Sequence, residues 1–168
     1  EIKVEAGPWA GWKLSALYEA AHTPWAWHGP LYARAKELGL EAFSSVFDLE
    51  ALEFLEGLGC PRYKIASFEV TDLALIRAAA GKGKPLVIST GMAEEVEVHR
   101  AVKAAGVYGN PPAEVTLLKC TSAYPTPAEG VNLAAIPVMR ERFRLPVGLS
   151  DHTLGHVAAV GATVLGAV

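Results

Sequence analysis

Pro-Leu-Val-Ile-Ser-Thr (85–90) is followed by a helical pattern over 94–105 and then by Val-Thr-Leu-Leu-Lys-Cys (115–120). The fold is decided by these two β-rich runs and the helix between them. Both runs are close to continuously apolar, as strands are when a sheet is covered on both faces. The same unit repeats upstream. Leu-Glu-Ala-Phe-Ser-Ser-Val-Phe (40–47) reads as a strand, and Asp48 as the N-cap of a helix over 49–56 closed by Gly57 and Gly59. Tyr-Lys-Ile-Ala (63–66) is the next strand, and Asp72 caps a helix through Ala80 that Gly81 closes. Downstream come a helix over 133–142, a strand Pro-Val-Gly-Leu-Ser (146–150) and an apolar helical tail from Leu154. Strands recur every 20 to 30 residues or so, the spacing of βα units. The expected class is α/β, with parallel strands alternating with helices. Alternation alone leaves open whether such a sheet closes into a barrel or is doubly wound.

Ahead of the first strand, 14–21 has a helical pattern. Thr23 then reads as an N-cap, with Pro24 at the first position of a helix that runs to Leu38 and ends at Gly39. No Gly/Ser-rich linker divides the chain, so 1–168 is expected to be one domain or part of one. The chain has 168 residues, 51% of them hydrophobic and 20% charged, with a net charge of −3. This excludes a disordered, charge-rich chain and argues against a broad basic footprint for nucleic acid or an anionic membrane. Two cysteines, Cys60 and Cys120, cannot form a disulfide framework or a Cys-rich zinc site. The longest apolar stretch, 154–168, contains His156 and several glycines, and falls short of the roughly 18 residues of a membrane span. The chain starts at Glu1 and stops at Val168 within an apolar pattern. It is therefore expected to be a segment of a longer protein.

Polar residues gather where the strands end: Ser44 and Ser45; Lys64, Ser67 and Glu69; Ser89 and Thr90; Lys119, Cys120, Thr121 and Ser122; Ser150, Asp151 and His152. In parallel α/β folds the carboxyl ends of the strands form the ligand-binding edge. A lysine with convergent hydroxyls and backbone N–H groups suits a phosphate or carboxylate. Any one of these serines, taken alone, reads better as a turn residue; for the five strand ends together that is the weaker reading. Lys64 interrupts an apolar strand, where an unpaired charge is costly. His152 is a hydrogen-bonded structural histidine or a ligand, and Glu69 a general acid/base or a first-turn acid facing a helix dipole. Trp25, Trp27 and His28 suggest packing or a subunit contact. Met92 and Met139 read as packing residues, His99 as solvated, and Cys120 as a small buried residue.

Four of these strand ends carry linked motifs: Tyr-Lys-Ile-Ala-Ser-Phe-Glu (63–69), Ile-Ser-Thr-Gly-Met-Ala (88–93), Leu-Lys-Cys-Thr-Ser-Ala-Tyr-Pro-Thr-Pro (118–127) and Gly-Leu-Ser-Asp-His-Thr-Leu-Gly (148–155). In this order they resemble the nonulosonic (sialic) acid synthase family over nearly the whole chain. The stretch Leu-Tyr-Glu-Ala-Ala-His-Thr-Pro-Trp-Ala-Trp-His (17–28) is most similar to its pseudaminic acid synthase branch.

The resemblance implies part of a (β/α)8 TIM barrel, about strands 3 to 7, with the remaining strands and an antifreeze-like domain outside 1–168. It implies a cytoplasmic, homodimeric enzyme that condenses phosphoenolpyruvate with an N-acylated amino sugar and uses a divalent metal, Mn2+ or Mg2+. Carried over residue by residue, Lys64, Ser67, Ser89, Ser122, Ser150 and Ser45 would hold phosphoenolpyruvate. Phe47 and Tyr124 would lie near the sugar, His152 would be a metal ligand, and Glu69 and His152 the catalytic pair. Ser45-Val46 stands where the family commonly has Thr-Pro, Ser122 where some members have Asn, and Phe68 where some have a small residue. Pseudaminic acid synthesis is the first expectation, N-acetylneuraminate or legionaminic acid synthesis the alternative. From another class, a non-catalytic sugar- or phosphate-binding α/β domain would bind ligand without releasing phosphate.

Overall fold

The computed structural model describes residues 2–5, 9–110 and 112–168. Two compact units form, Glu1–Ala42 and Phe43–Val168. The first contains α1 (Leu14–Ala21) and α2 (Trp25–Glu37), neither with a buried residue. The start of α2 lies one residue later than expected: Pro24 occupies the cap, and no side chain caps the helix. Gly39, at φ +68°, takes the left-handed turn that ends it. Trp25 and Trp27 are exposed, which overturns core packing and leaves the subunit contact of the two roles expected of them.

In the second unit the order is β1 (Ser44–Ser45), α3 (Leu49–Gly57), β2 (Tyr63–Ile65), α4 (Leu73–Gly81), β3 (Leu86–Ser89), α5 (Glu95–Ala104), β4 (Val115–Cys120), α6 (Ala135–Phe143), β5 (Val147–Ser150) and α7 (Val157–Val164). Short 3-10 turns, Ser67–Glu69 and Ala128–Gly130, follow β2 and β4. Asp48 accepts from Ala51 N–H at 2.7 Å, and Asp72 from Ala74 and Leu75 N–H at 3.1 and 2.9 Å. These carboxylates satisfy donors that α3 and α4 leave without intrahelical partners. Gly57 and Gly81 turn out to be the last helical residues rather than the stops. The left-handed exits come two residues on, at Gly59 (φ +71°) and Gly83 (φ +69°).

All strand pairs are parallel, and the sheet order is β1-β2-β3-β4-β5. A doubly wound sheet reverses its order at a switch point; this sheet never does. Its strands follow the sequential order of the (β/α)8 barrel. At the far side, Val168 N–H donates to Val147 O at 3.1 Å, so the chain returns beside β5 after α7. The first strand is much shorter than 40–47, because only Ser44 and Ser45 pair with β2.

Side chains alternate along each strand, and register aligns them across the sheet. Tyr63, Leu86 and Val115 share one face, as do Ile65, Ile88 and Leu117 one step along. All six are buried, and α3, α4, α5 and α6 supply the buried Leu52, Ile76, Val102 and Ile136. On the opposite face Ser45, Lys64, Val87 and Thr116 stand in line, followed by Ser89, Leu118 and Gly148, then Cys120 and Ser150. One face is thus an apolar seat for helices, and the other collects the polar residues.

Because Asp72 serves two N–H groups and Asp48 one, Asp72→Ala should destabilise more than Asp48→Ala. The expected losses are about 1–2 and about 0.5–1 kcal/mol. Urea unfolding midpoints of the two variants provide the comparison.

Candidate active site

The polar face is built at the carboxyl ends of the strands. Ser45 and Lys64 are register neighbours, and Lys64 is half-buried. Burial pushes its ammonium below the ordinary lysine range, while the nearby Cys120 and Glu69 pull it back up. Just beyond β2, the 3-10 turn brings Ser67 back toward the end of β3, where its Oγ accepts from Gly91 N–H at 3.1 Å. The Ser67 hydroxyl proton is left free to donate elsewhere.

Gly91 explains how the hydroxyls converge. A Cβ placed there would lie 2.6 Å from Ser122 Oγ, 2.9 Å from Ser67 Oγ and 3.2 Å from Cys120 Sγ. Only a hydrogen fits. Ser122 Oγ at this point, and Ser89 Oγ, Glu69 Oε2 and Thr153 Oγ1 elsewhere at the strand ends, are buried with no hydrogen-bond partner among the described residues. Buried polar atoms normally find one. Orphaned hydroxyls beside a half-buried ammonium form a cradle for an anion with several oxygens. Burial raises Glu69 above the usual carboxylate range, with Lys64 opposing. Glu69 can therefore carry a proton nearer neutral pH than an exposed glutamate does.

His152 stands at the end of β5. Its Nδ1 lies 2.8 Å from Thr121 O and its Nε2 3.3 Å from Ser150 Oγ. A carbonyl can only accept, so Nδ1 donates to Thr121 O, and Nε2 is the ring nitrogen that meets the Ser150 hydroxyl. Tyr124 lies against the imidazole, with ring centroids 4.1 Å apart. Among the described residues, no group of three or more His, Cys, Asp or Glu side chains could hold a metal ion. His152 offers a suitable nitrogen but not a coordination shell.

The structure thus brings Lys64, Ser67, Ser89, Ser122 and Cys120 together, with Glu69 beside Lys64. Ser150 and His152 form a neighbouring pair, and Ser45 lies in line with Lys64. Phe47 and Tyr124 are exposed after β1 and β4, and Phe68 and Met92 after β2 and β3. Met92 is no packing residue: it is exposed and left-handed at φ +66°. His99 is not simply solvated, since it contacts Glu95 at 3.6 Å and lies against Phe143. Lys119 does not line the cradle, although at the strand end it borders a small pocket with Thr121, Ser150 and His152. Alternation along β4 sends it to the helix face with Val115 and Leu117. Gly91 and the carbonyl of Thr121 were the groups missed by reading side chains alone. The Ser-Thr-Gly at 89–91 was a signal for the former, but a backbone carbonyl leaves none.

The family model described as the NeuB family matches residues 2–168, and the chain belongs to that family. It is 45% identical over 159 residues to the pseudaminic acid synthase of Helicobacter pylori, covering 95% of this chain and 46% of that protein. It is 42% identical over 142 residues to the N,N'-diacetyllegionaminic acid synthase of Legionella pneumophila, covering 83% and 40%. The crystal structure of an N-acetylneuraminic acid synthetase from Leptospira borgpetersenii in complex with citrate superposes with a TM-score of 0.84. The identity is 29%, over 90% of this chain and 52% of that one. The chain spans about half the length of the curated relatives it matches.

A carboxyl group whose folded pKa is raised favours the folded state at low pH. That contribution is present below the unfolded pKa and is lost as pH rises through the folded value. Glu69→Gln removes the penalty of ionising a buried carboxylate. The variant should therefore melt higher than the parent at pH 8, and the difference should vanish toward pH 4. Melting curves of both proteins across that range measure it.

Proposed function

We propose that the full-length protein condenses phosphoenolpyruvate with an N-acylated amino sugar to form a nine-carbon nonulosonic acid and inorganic phosphate. Pseudaminic acid synthesis is the first candidate. The observation that carries this reading is the pair of buried, unpartnered hydroxyls, Ser89 and Ser122, beside the Lys64 ammonium. Phosphoenolpyruvate bears a phosphate and a carboxylate, and hydroxyl donors with an ammonium are the groups that bind such oxygens. The branch choice rests on the identity to the pseudaminic acid synthase of Helicobacter pylori and on the shared stretch at 17–28.

In this mechanism Lys64, Ser67, Ser89, Ser122, Ser150 and Ser45 hold phosphoenolpyruvate with its enol carbon facing the sugar. Phe47 and Tyr124 offer exposed rings to the sugar. The enol carbon attacks the open-chain aldehyde and forms the new C–C bond. The aldehyde oxygen becomes a hydroxyl. Water adds to the cationic carbon left behind, and the tetrahedral intermediate expels phosphate to give the 2-keto acid. Lys64 and the hydroxyls stabilise charge on the phosphate as it departs. Glu69, kept protonated to a higher pH by burial, is placed to move a proton beside Lys64.

His152 is proposed as one ligand of a divalent cation, Mn2+ first and Mg2+ second, with further ligands from outside 1–168. Such an ion, when bound, would polarise the aldehyde oxygen. The described residues contain no helix long and apolar enough to cross a membrane. A cytoplasmic homodimer with an added antifreeze-like domain completes the proposal.

The deciding assay is phosphate release from phosphoenolpyruvate by the full-length protein with a panel of sugars. A diacetamido trideoxy sugar of the pseudaminic series should be the best substrate. Preference for N-acetylmannosamine or the legionaminic-series sugar would reassign the branch. Binding of phosphoenolpyruvate without phosphate release under any sugar would leave a binding domain instead. Ser89→Ala should raise KM for phosphoenolpyruvate about tenfold, and Lys64→Met about a hundredfold, as expected for lost hydrogen bonds to a charged ligand. His152→Ala should abolish metal-dependent turnover; undiminished activity would remove His152 from the metal site.

A further inference from the structure

Lys119 is an expensive residue to keep where it is. It is 7% exposed and lies on the helix side of β4 with Val115 and Leu117. There it lines a cavity of about 250 Å3 together with Val98 of α5 and Met139 and Phe143 of α6; the charged residues of its wall besides Lys119, Glu95 and Arg142, are paired with each other. Its ammonium has three N–H donors, and among the described residues the acceptor it reaches is Thr121 Oγ1, at 2.5 Å. A methionine or leucine would fill that space without the cost of burying a charge. The side chain therefore has a use other than stability.

That use follows from what Thr121 holds. Its hydroxyl accepts from Lys119 and donates to Gly130 O at 3.1 Å, so both its roles are taken. Its carbonyl accepts from His152 Nδ1 at 2.8 Å. Thr126, on the same loop, donates its N–H to His152 O and its hydroxyl to Ala123 O, both at 2.8 Å. The next residue, Ser122, carries one of the orphaned hydroxyls packed against Gly91. Thr121 and Thr126 thus both tie the loop after β4 to the loop after β5, and Thr121 is the one that Lys119 holds.

We propose that Lys119 is a positioning residue. Acting from the opposite face of the sheet, it clamps Thr121 and thereby sets Ser122 and His152 at the mouth of the anion cradle. The proposal rests on the phosphoenolpyruvate reading of that cradle. Lys119 touches no substrate in this arrangement; it fixes the backbone from which two site residues project.

The experiment is a double-mutant cycle in the full-length protein, read by KM for phosphoenolpyruvate and by melting temperature. Lys119→Met and Thr121→Val should each raise KM about tenfold, as for loss of one hydrogen-bonded anchor. Lys119→Met should leave the melting temperature unchanged or higher, because a buried charge has been removed. The double variant should be no worse than either single one, since both break the same link. Thr121→Ser, which keeps the hydroxyl, should behave as the parent. Unchanged KM in Lys119→Met, or effects that multiply in the double variant, would overturn the positioning role. If Lys119→Met fails to fold, the Thr121→Val and Thr121→Ser pair decides, and equal KM values in the two overturn the proposal. Ser89→Ala separates the two levels: if it too leaves KM unchanged, the cradle itself has been misread.

Discussion

Everything in the second unit depends on the two-residue alternation of parallel strands held in register. Lys64 and Lys119 show what that constraint does. Each is a cation in an otherwise apolar strand near the carboxyl edge, and burial depresses both. Lys64 falls in line with Ser45 and Val87 and faces the polar side. Lys119 falls in line with Leu149 and faces the helices. A slip of one residue in β4 would exchange its faces, placing Cys120 under the helices and Lys119 among the hydroxyls. The apolar seats of Val115 and Leu117 prevent the slip. The packing of one side of the sheet therefore determines the chemistry available on the other.

The cradle is built more from hydroxyls and backbone than from charge. Among the described residues Lys64 is the cation at its wall, supplemented by serines from separate βα units, of which Ser67 is fixed by the Gly91 N–H. Neutral donors leave the local field modest. Fixed donors also need no reorganisation as charge moves, which is the main electrostatic advantage of a preorganised site. Glu69, raised by burial next to Lys64, adds no permanent negative charge when it is protonated.

Much of this was legible in the residues. The strands at 63–66, 85–90, 115–120 and 146–150 stand within one or two residues of their expected limits, because apolar runs bounded by Asp caps and glycines leave little freedom. The first strand was overread, since Phe43 and Phe47 have strand propensity but no partner to pair with. The 3-10 turn at Ser67–Glu69 also had no periodic signal, yet it aims Ser67 at Gly91. Lys119 was placed with the rim because adjacency in sequence suggested adjacency in space. Counting in twos from Val115 separates it from Cys120. Met92 read as a packing residue because its type is apolar, whereas its left-handed backbone turns it into solvent. Composition and motif locate the edge of the sheet. Register and backbone conformation decide which side chains meet there.

The strictly sequential strand order has a consequence for how the molecule acquires its site. Each strand pairs with the next strand along the chain across an intervening helix, as Tyr63 does with Leu86 and Leu117 with Val147, and parallel pairing over such separations is slow compared with local helix formation. The bonds that define the cradle have the same range. Ser67 to Gly91 and Thr121 to His152 span 24 and 31 residues, and each joins one βα unit to the next across the loops. They can form only after the adjoining strands are docked in register. The polar rim is thus the last part of each pair of units to be completed. Its geometry serves as a record that the preceding steps of assembly were made correctly.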